Sequence, residues 1–126
     1  MEQQQANREM ELTRDLILEA DDLPTKEIDI PEWGGKAHIR IMTGAERDRF
    51  EMEASKLQQG IAPKVSFRAR FAATILCDKD GKRIFDDRDI AALSRKSGAV
   101  LDRVLAEGME HNKVREEDVE ELAKNS

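Results

Sequence analysis

Apolar and polar positions alternate in one short stretch of this chain and recur every three to four residues in most of the rest. Between Lys26 and Met42, Ile28 and Ile30 alternate with Asp29, while Ala37, Ile39 and Ile41 alternate with His38 and Arg40. That period of two predicts a pair of half-buried strands. Trp33-Gly34-Gly35 falls between them and reads as a tight turn, because glycine reaches positive φ without a Cβ clash. Thr43 and Glu46 then have the spacing of a capping box, which starts a helix. Phe50, Ala54, Leu57 and Ile61 form one face of that helix, and Gly60 and Pro63 end it.

Further along, Val65, Ala69, Ala72 and Leu76 form one stripe, and Phe67, Phe71 and Ile75 form a second beside it, which predicts a buried central helix through Leu76. Cys77 continues the same apolar run. Asp78-Lys79-Asp80-Gly81 is a turn, followed by a short extended piece at Ile84-Phe85. Asp86 can cap a short helix with Asp89 at its third position, and Ser97 can cap the next, whose face is Leu101, Val104, Leu105 and Gly108. At the two ends, Thr13 caps a helix through Ala20 with Leu12 stapled onto Ile17, and Glu116 to Lys124 forms a closing helix with acids first and a lysine last.

The expected fold is mainly α, with about five helices and one small β-hairpin, in a single compact domain over residues 12–126. Residues 1–11, with three consecutive glutamines, have little apolar content and read as a disordered tail. A lone hairpin is marginal in water, so one face of it must pack on a helix. Charged residues are 38% of the 126 and aromatics only 4%, with no tyrosine, so the core must come from aliphatic side chains and four phenylalanines. The net charge of −6 argues against general nucleic-acid binding, which needs a surplus of Lys and Arg on one face. The single Cys77 excludes an intrachain disulfide and reads as a buried free thiol. No apolar stretch approaches the roughly 20 residues of a membrane span, and no signal-peptide core is present, so a soluble cytoplasmic protein is expected.

Little in the sequence points to catalysis. His38 and His111 are far apart and have no zinc-site spacing with Cys77. Asp78 to Gly81 fails the calcium-loop pattern, because aligning Gly81 at position six leaves Leu76 at one and Asp87 at twelve. No phosphate loop and no Gly-x-Ser-x-Gly elbow occurs, so no catalytic, cofactor or metal residue is assigned and no enzyme is expected. Lys64, Arg68 and Arg70 lie beside Phe67 and Phe71 in a mixture that can serve nucleic acid, but at helical spacing the phenylalanines are core and the arginines face solvent or acids. Trp33 admits two readings, one folded back on the domain and one exposed as a partner anchor.

The succession Leu12-Thr13-Arg14-Asp15, Ile17-Leu18, Ala20-Asp21-Asp22-Leu23, then IDIPEWGGKAHIRIMTGAERDRFE, resembles the tail assembly chaperones of long-tailed phages and their prophages. CDKDGKRIFDDRDIAALSRKSGAVLDRVLAE and EEDVEELAKNS continue the resemblance, with Met42 standing where a leucine is expected. The resemblance implies a non-virion protein of the host bacterial cytoplasm that binds the tape measure protein and brings tail tube subunits to it. An apolar groove would accept helical stretches of that partner, with Trp33, Phe50, Phe67, Arg68 and Phe71 as candidate partner-binding residues. The family commonly makes a second, longer form by ribosomal frameshift, and Ala123-Lys124-Asn125 can be encoded by a slippery GCA-AAA-AAC. The competing readings are a small protein-binding adaptor of phage or bacterial origin and a nucleic-acid-binding regulator.

Overall fold

The computed structural model describes residues 11–61, 64–115 and 117, apart from the side chains of 64–66. The expectations for the N-terminal tail, for Pro63, for the side chain of Val65 and for the closing helix lie outside the described residues. The elements in chain order are α1 (Arg14–Glu19), β1 (Thr25–Ile30), a 3-10 turn (Pro31–Trp33), β2 (Gly35–Arg40), α2 (Gly44–Gln58), α3 (Lys64–Ile75), β3 (Leu76–Cys77), a second 3-10 turn (Asp87–Asp89), α4 (Ile90–Leu93) and α5 (Gly98–His111). The fold is mainly α with one small antiparallel sheet of order β1-β2-β3.

The hairpin aligns Ile28 with Ala37 and Ile30 with Gly35 on its inner face, and Glu27 with His38 and Asp29 with Lys36 on its outer face. The connection is longer than the tight turn read from Gly34-Gly35. Pro31 to Trp33 forms a 3-10 turn and only Gly34 is left-handed, at φ 82°, whereas Gly35 already belongs to β2. The sheet also gains a third strand. Leu76 and Cys77 leave the helix and pair with Ile39 and His38, and the Asp78 to Gly81 turn folds the chain back so that Arg83 bridges Cys77 on the other side. Asp78 organises that turn, accepting from the amides of Asp80 at 2.9 Å and Lys82 at 3.0 Å. Those hydrogen bonds, the one from Lys82 foremost, hold its carboxyl below the usual range. Cys77 is buried as expected, though in a strand, and its burial pushes the thiol pKa up.

Helix α3 is central as expected, with Ala69, Ala72, Ala73 and Ile75 fully buried against α5. Helix α5 presents two adjacent stripes. Leu101, Val104 and Gly108 face the core, while Arg103, Glu107 and His111, spaced by four, reach the hairpin. Arg103 donates to Glu32 at 2.6 Å, Lys26 donates to Glu107 at 2.9 Å, and His111 Nε2 lies 2.8 Å from the Pro24 carbonyl. The Arg103 hydrogen bond depresses the Glu32 pKa from 4.5 to about 2. A depressed carboxyl contributes stability above its unfolded pKa and loses it as the pH falls, here between 4.5 and about 2. A carbon-detected titration should place the Glu32 carboxyl near 2, and Arg103→Gln should return it toward 4.5. An unchanged midpoint in that variant would contradict the pairing.

At Gly108, α5 lies tightly against α3. A Cβ there would fall inside van der Waals contact with Ile75 Cδ1 and 2.6 Å from Phe71 Cε2. Gly108→Ala therefore sets overpacking of about 1–3 kcal/mol against a helix-propensity gain of about 1 kcal/mol. The expected outcome in urea denaturation is a net loss of stability.

The capping box at Thr43 forms as the spacing predicts, with the Thr43 hydroxyl accepting from the Glu46 amide at 3.1 Å and the Glu46 carboxylate from the Thr43 amide at 2.9 Å. Glu46 has a second task that the alternation of β2 does not announce. Arg40, expected on an exposed position, is 5% exposed and donates to both Glu46 oxygens at 2.9 and 2.7 Å. Asn112, also buried, accepts from the Met42 amide at 2.7 Å and donates to the carbonyls of Arg40 and Gly108 at 3.2 and 2.9 Å. The end of the hairpin, the start of α2 and the end of α5 are thus joined at one point.

One further expectation is corrected. Ile61 lies beyond the end of α2, after Gly60 turns left-handed at φ 75°, and is 66% exposed instead of completing the apolar face. Helix α1 is capped by Thr13 as expected and has no buried residue.

Candidate partner-binding surfaces

The five residues expected to meet a partner are placed in three different environments. Phe50 on α2 and Phe67 and Phe71 on α3 come together, with ring centroids of Phe50 5.3 Å from Phe67 and 4.9 Å from Phe71. They are only 6%, 7% and 2% exposed, so they hold α2 on α3 as core residues before they can serve anything else. Above them lies a cleft of about 50 Å³, with Arg49, Arg70, Arg83, Glu53 and Asp87 at its lips. That volume is far below the few hundred Å³ of an ordinary binding pocket. Arg49 is held by Asp87 at 3.2 Å, and Arg83 Nε donates to the Ala73 carbonyl at 3.0 Å.

Arg68 points away from this cleft. It donates to Asp102 of α5 at 2.8 Å, with its side chain 18% exposed, so it is a helix-to-helix tie. The basic patch suggested by Arg68 and Arg70 is therefore split, one arginine toward α5 and one at the cleft, with the aromatic rings turned into the core. An exposed stacking platform of the kind single strands use is not formed by these residues.

Trp33 takes the first of its two readings and folds back on the domain. It is half-buried and packs on the core. It also lines an apolar groove of about 280 Å³ with Phe85, Ala92 and Leu93, closed at its polar ends by Asp89 and Lys96. The 3-10 turn before Gly34 aims the indole at α4, and the Asp86 cap, which accepts from Arg88 N at 2.8 Å, fixes the chain carrying Phe85 opposite it. Ile84, beside Phe85 in sequence, is 54% exposed. This groove can take one or two large apolar side chains. Phe85 and Leu93 were not singled out from sequence. Their only local signal was the apolar residues around the Asp86 cap, which do not say that Trp33 lies across from them.

Among the described residues, no group of three or more His, Cys, Asp or Glu side chains is close enough to hold a metal ion. No described helix is long and apolar enough to cross a membrane.

Compared with known proteins, the chain matches the family model described as phage tail assembly chaperone over residues 13–125. The chain belongs to the phage tail assembly chaperone family. The match takes in every described element, from the Thr13 cap of α1 to the end of α5. Among solved structures, the tail assembly chaperone of bacteriophage HK97 is similar, with a TM-score of 0.57 and 21% identity over 87% of this chain and 94% of that one. At that identity the likeness concerns the fold. No curated protein matches the chain.

Proposed function

We propose that this chaperone holds apolar helical stretches of the phage tape measure protein in the host bacterial cytoplasm and helps bring tail tube subunits to it while the tail grows, without entering the virion. The observation that carries this reading is the groove of Trp33, Phe85 and Leu93, joined to membership of the chaperone family. A long helical protein made before its surrounding tube would expose apolar stripes to water, and a small helix-in-groove contact covers them reversibly. A longer, frameshifted form sharing this domain is the proposed link to the tube subunit. Its mark would be a slippery heptamer in the coding DNA at Ala123 to Asn125.

Co-expression with the tape measure protein tests the reading. The chaperone should retain it through affinity purification, and Trp33→Ala should weaken retention by roughly 30-fold, the loss of about 2 kcal/mol expected for an aromatic hot spot. Far-ultraviolet circular dichroism should stay unchanged, since Trp33 lies at the edge of the core. Absence of any complex with the wild-type chain would end this proposal.

A further inference from the structure

Helix α1 departs most plainly from what a folded domain needs for itself. Leu12, Leu16, Ile17 and Leu18 are 69%, 42%, 56% and 66% exposed, and the helix buries nothing. Leu16, Ile17 and Leu18 are consecutive, so they point about 100° apart and cover more than half of the helix circumference. Apolar side chains spread over that arc are covered more fully by a groove than by a flat surface, which would leave one or two of them in water. The charges around it are one-sided. Glu11, Asp15, Glu19, Asp21 and Asp22 stand against Arg14 alone, and Arg14 is paired with Asp15 at 2.9 Å. The helix is nonetheless ordered by its own cap, with the Thr13 hydroxyl accepting from the Leu16 amide at 3.3 Å. The extended Ala20 that follows separates it from the hairpin.

We infer that α1 is a docking element that the chaperone inserts into its client: an apolar groove between two client helices, rimmed by lysine or arginine side chains. The enclosure comes from the groove walls, and the basic rim answers the acids that flank the helix. The inference rests on the proposed function for the identity of the client. It adds a contact in the opposite sense, because at Trp33 the chaperone supplies the groove and at α1 it supplies the helix. Two such contacts on one chain bind a long partner more tightly than either alone.

The test uses the full chain, co-expressed with the tape measure protein, in two variants. Leu16→Asp/Ile17→Asp/Leu18→Asp removes the apolar surface, and Glu19→Lys/Asp21→Lys/Asp22→Lys reverses the charge. Since none of these residues is buried, both variants should melt with the wild-type protein. The first should lose tape measure binding by about 100-fold or more and the second by about tenfold, with a flatter salt dependence in the second. Binding equal to wild type in the apolar variant overturns the inference and leaves the Trp33 reading intact. Failure of the wild-type chain to bind removes both. If the apolar variant keeps the tape measure protein but changes its sedimentation, a second copy covers α1, through a groove such as that of Ala106, Met109 and Val114 beside Lys113, and the inference is overturned.

Discussion

Replacing Glu46 with alanine should lower the folding stability by about 3–5 kcal/mol, the cost of leaving a buried charge without its partner. Arg40 has only 6% of its side chain exposed, and its Nη2 has no carboxylate but Glu46 within hydrogen-bonding reach among the described residues. Its remaining bond, from Nη1 to the Ile41 carbonyl at 3.2 Å, cannot neutralise the guanidinium. The same substitution removes half of the capping box of α2, which adds to the loss. In a domain of this size the melting temperature should fall by about 10–20 °C. Combining Arg40→Met with Glu46→Gln separates the two effects. The buried charge is then gone and glutamine still serves the cap, so more than half of the lost stability should return. A Glu46→Ala protein that melts within a few degrees of wild type would show that water reaches Arg40.

Asn112→Ala should cost about 2–4 kcal/mol, because one side chain serves three backbone groups from two distant parts of the chain. The Met42 amide would be left without an acceptor beside a side chain that is 5% exposed. Two carbonyls would lose a donor as well. Chemical denaturation gives the stability, and hydrogen exchange gives the mechanism. The Met42 amide should exchange among the slowest in the wild type and become one of the faster core amides in the variant. Unchanged protection at Met42 would mean that the amide has another partner.

The parts of this fold that were legible in the sequence are those decided within a few residues. The Thr43–Glu46 and Asp86–Asp89 boxes, the Thr13 and Ser97 caps and the alternation of Ile28 and Ile30 all formed as their spacing predicts. Apart from the Trp33-Gly34-Gly35 turn and Ile61, what failed depended on neighbours distant in sequence. Leu76 is buried whether it closes a helix or begins a strand, so its apolar character could not reveal the pairing with Ile39. Arg40 obeys the alternation but sits where the outer face is covered, and only the Glu46 carboxylate makes that tolerable. Helix α1 shows the converse, a good local cap on a helix with no surface of its own domain to receive it. The candidate site was legible in part for the same reason. Trp33 was marked by its place at a turn, but Phe85 and Leu93 reach it only through the tertiary fold, and Phe50, Phe67 and Phe71 proved to be core.

The bond between Asn112 and Met42 also bears on how the chain is made. Translation delivers the hairpin early, yet the residue that fastens its far end lies 70 positions later. The ribosome adds about 5–20 residues per second, so the hairpin and α2 wait for several seconds with their apolar faces uncovered. Helix α5 then arrives as the last described piece and carries the core stripe, the three ties to the hairpin and the Asn112 clasp together. A nascent chain stalled before residue 112 should therefore resemble a loose ensemble, and resistance to protease should appear abruptly once that asparagine is free of the ribosome. A chaperone thus passes through an interval in which its own apolar surfaces are uncovered.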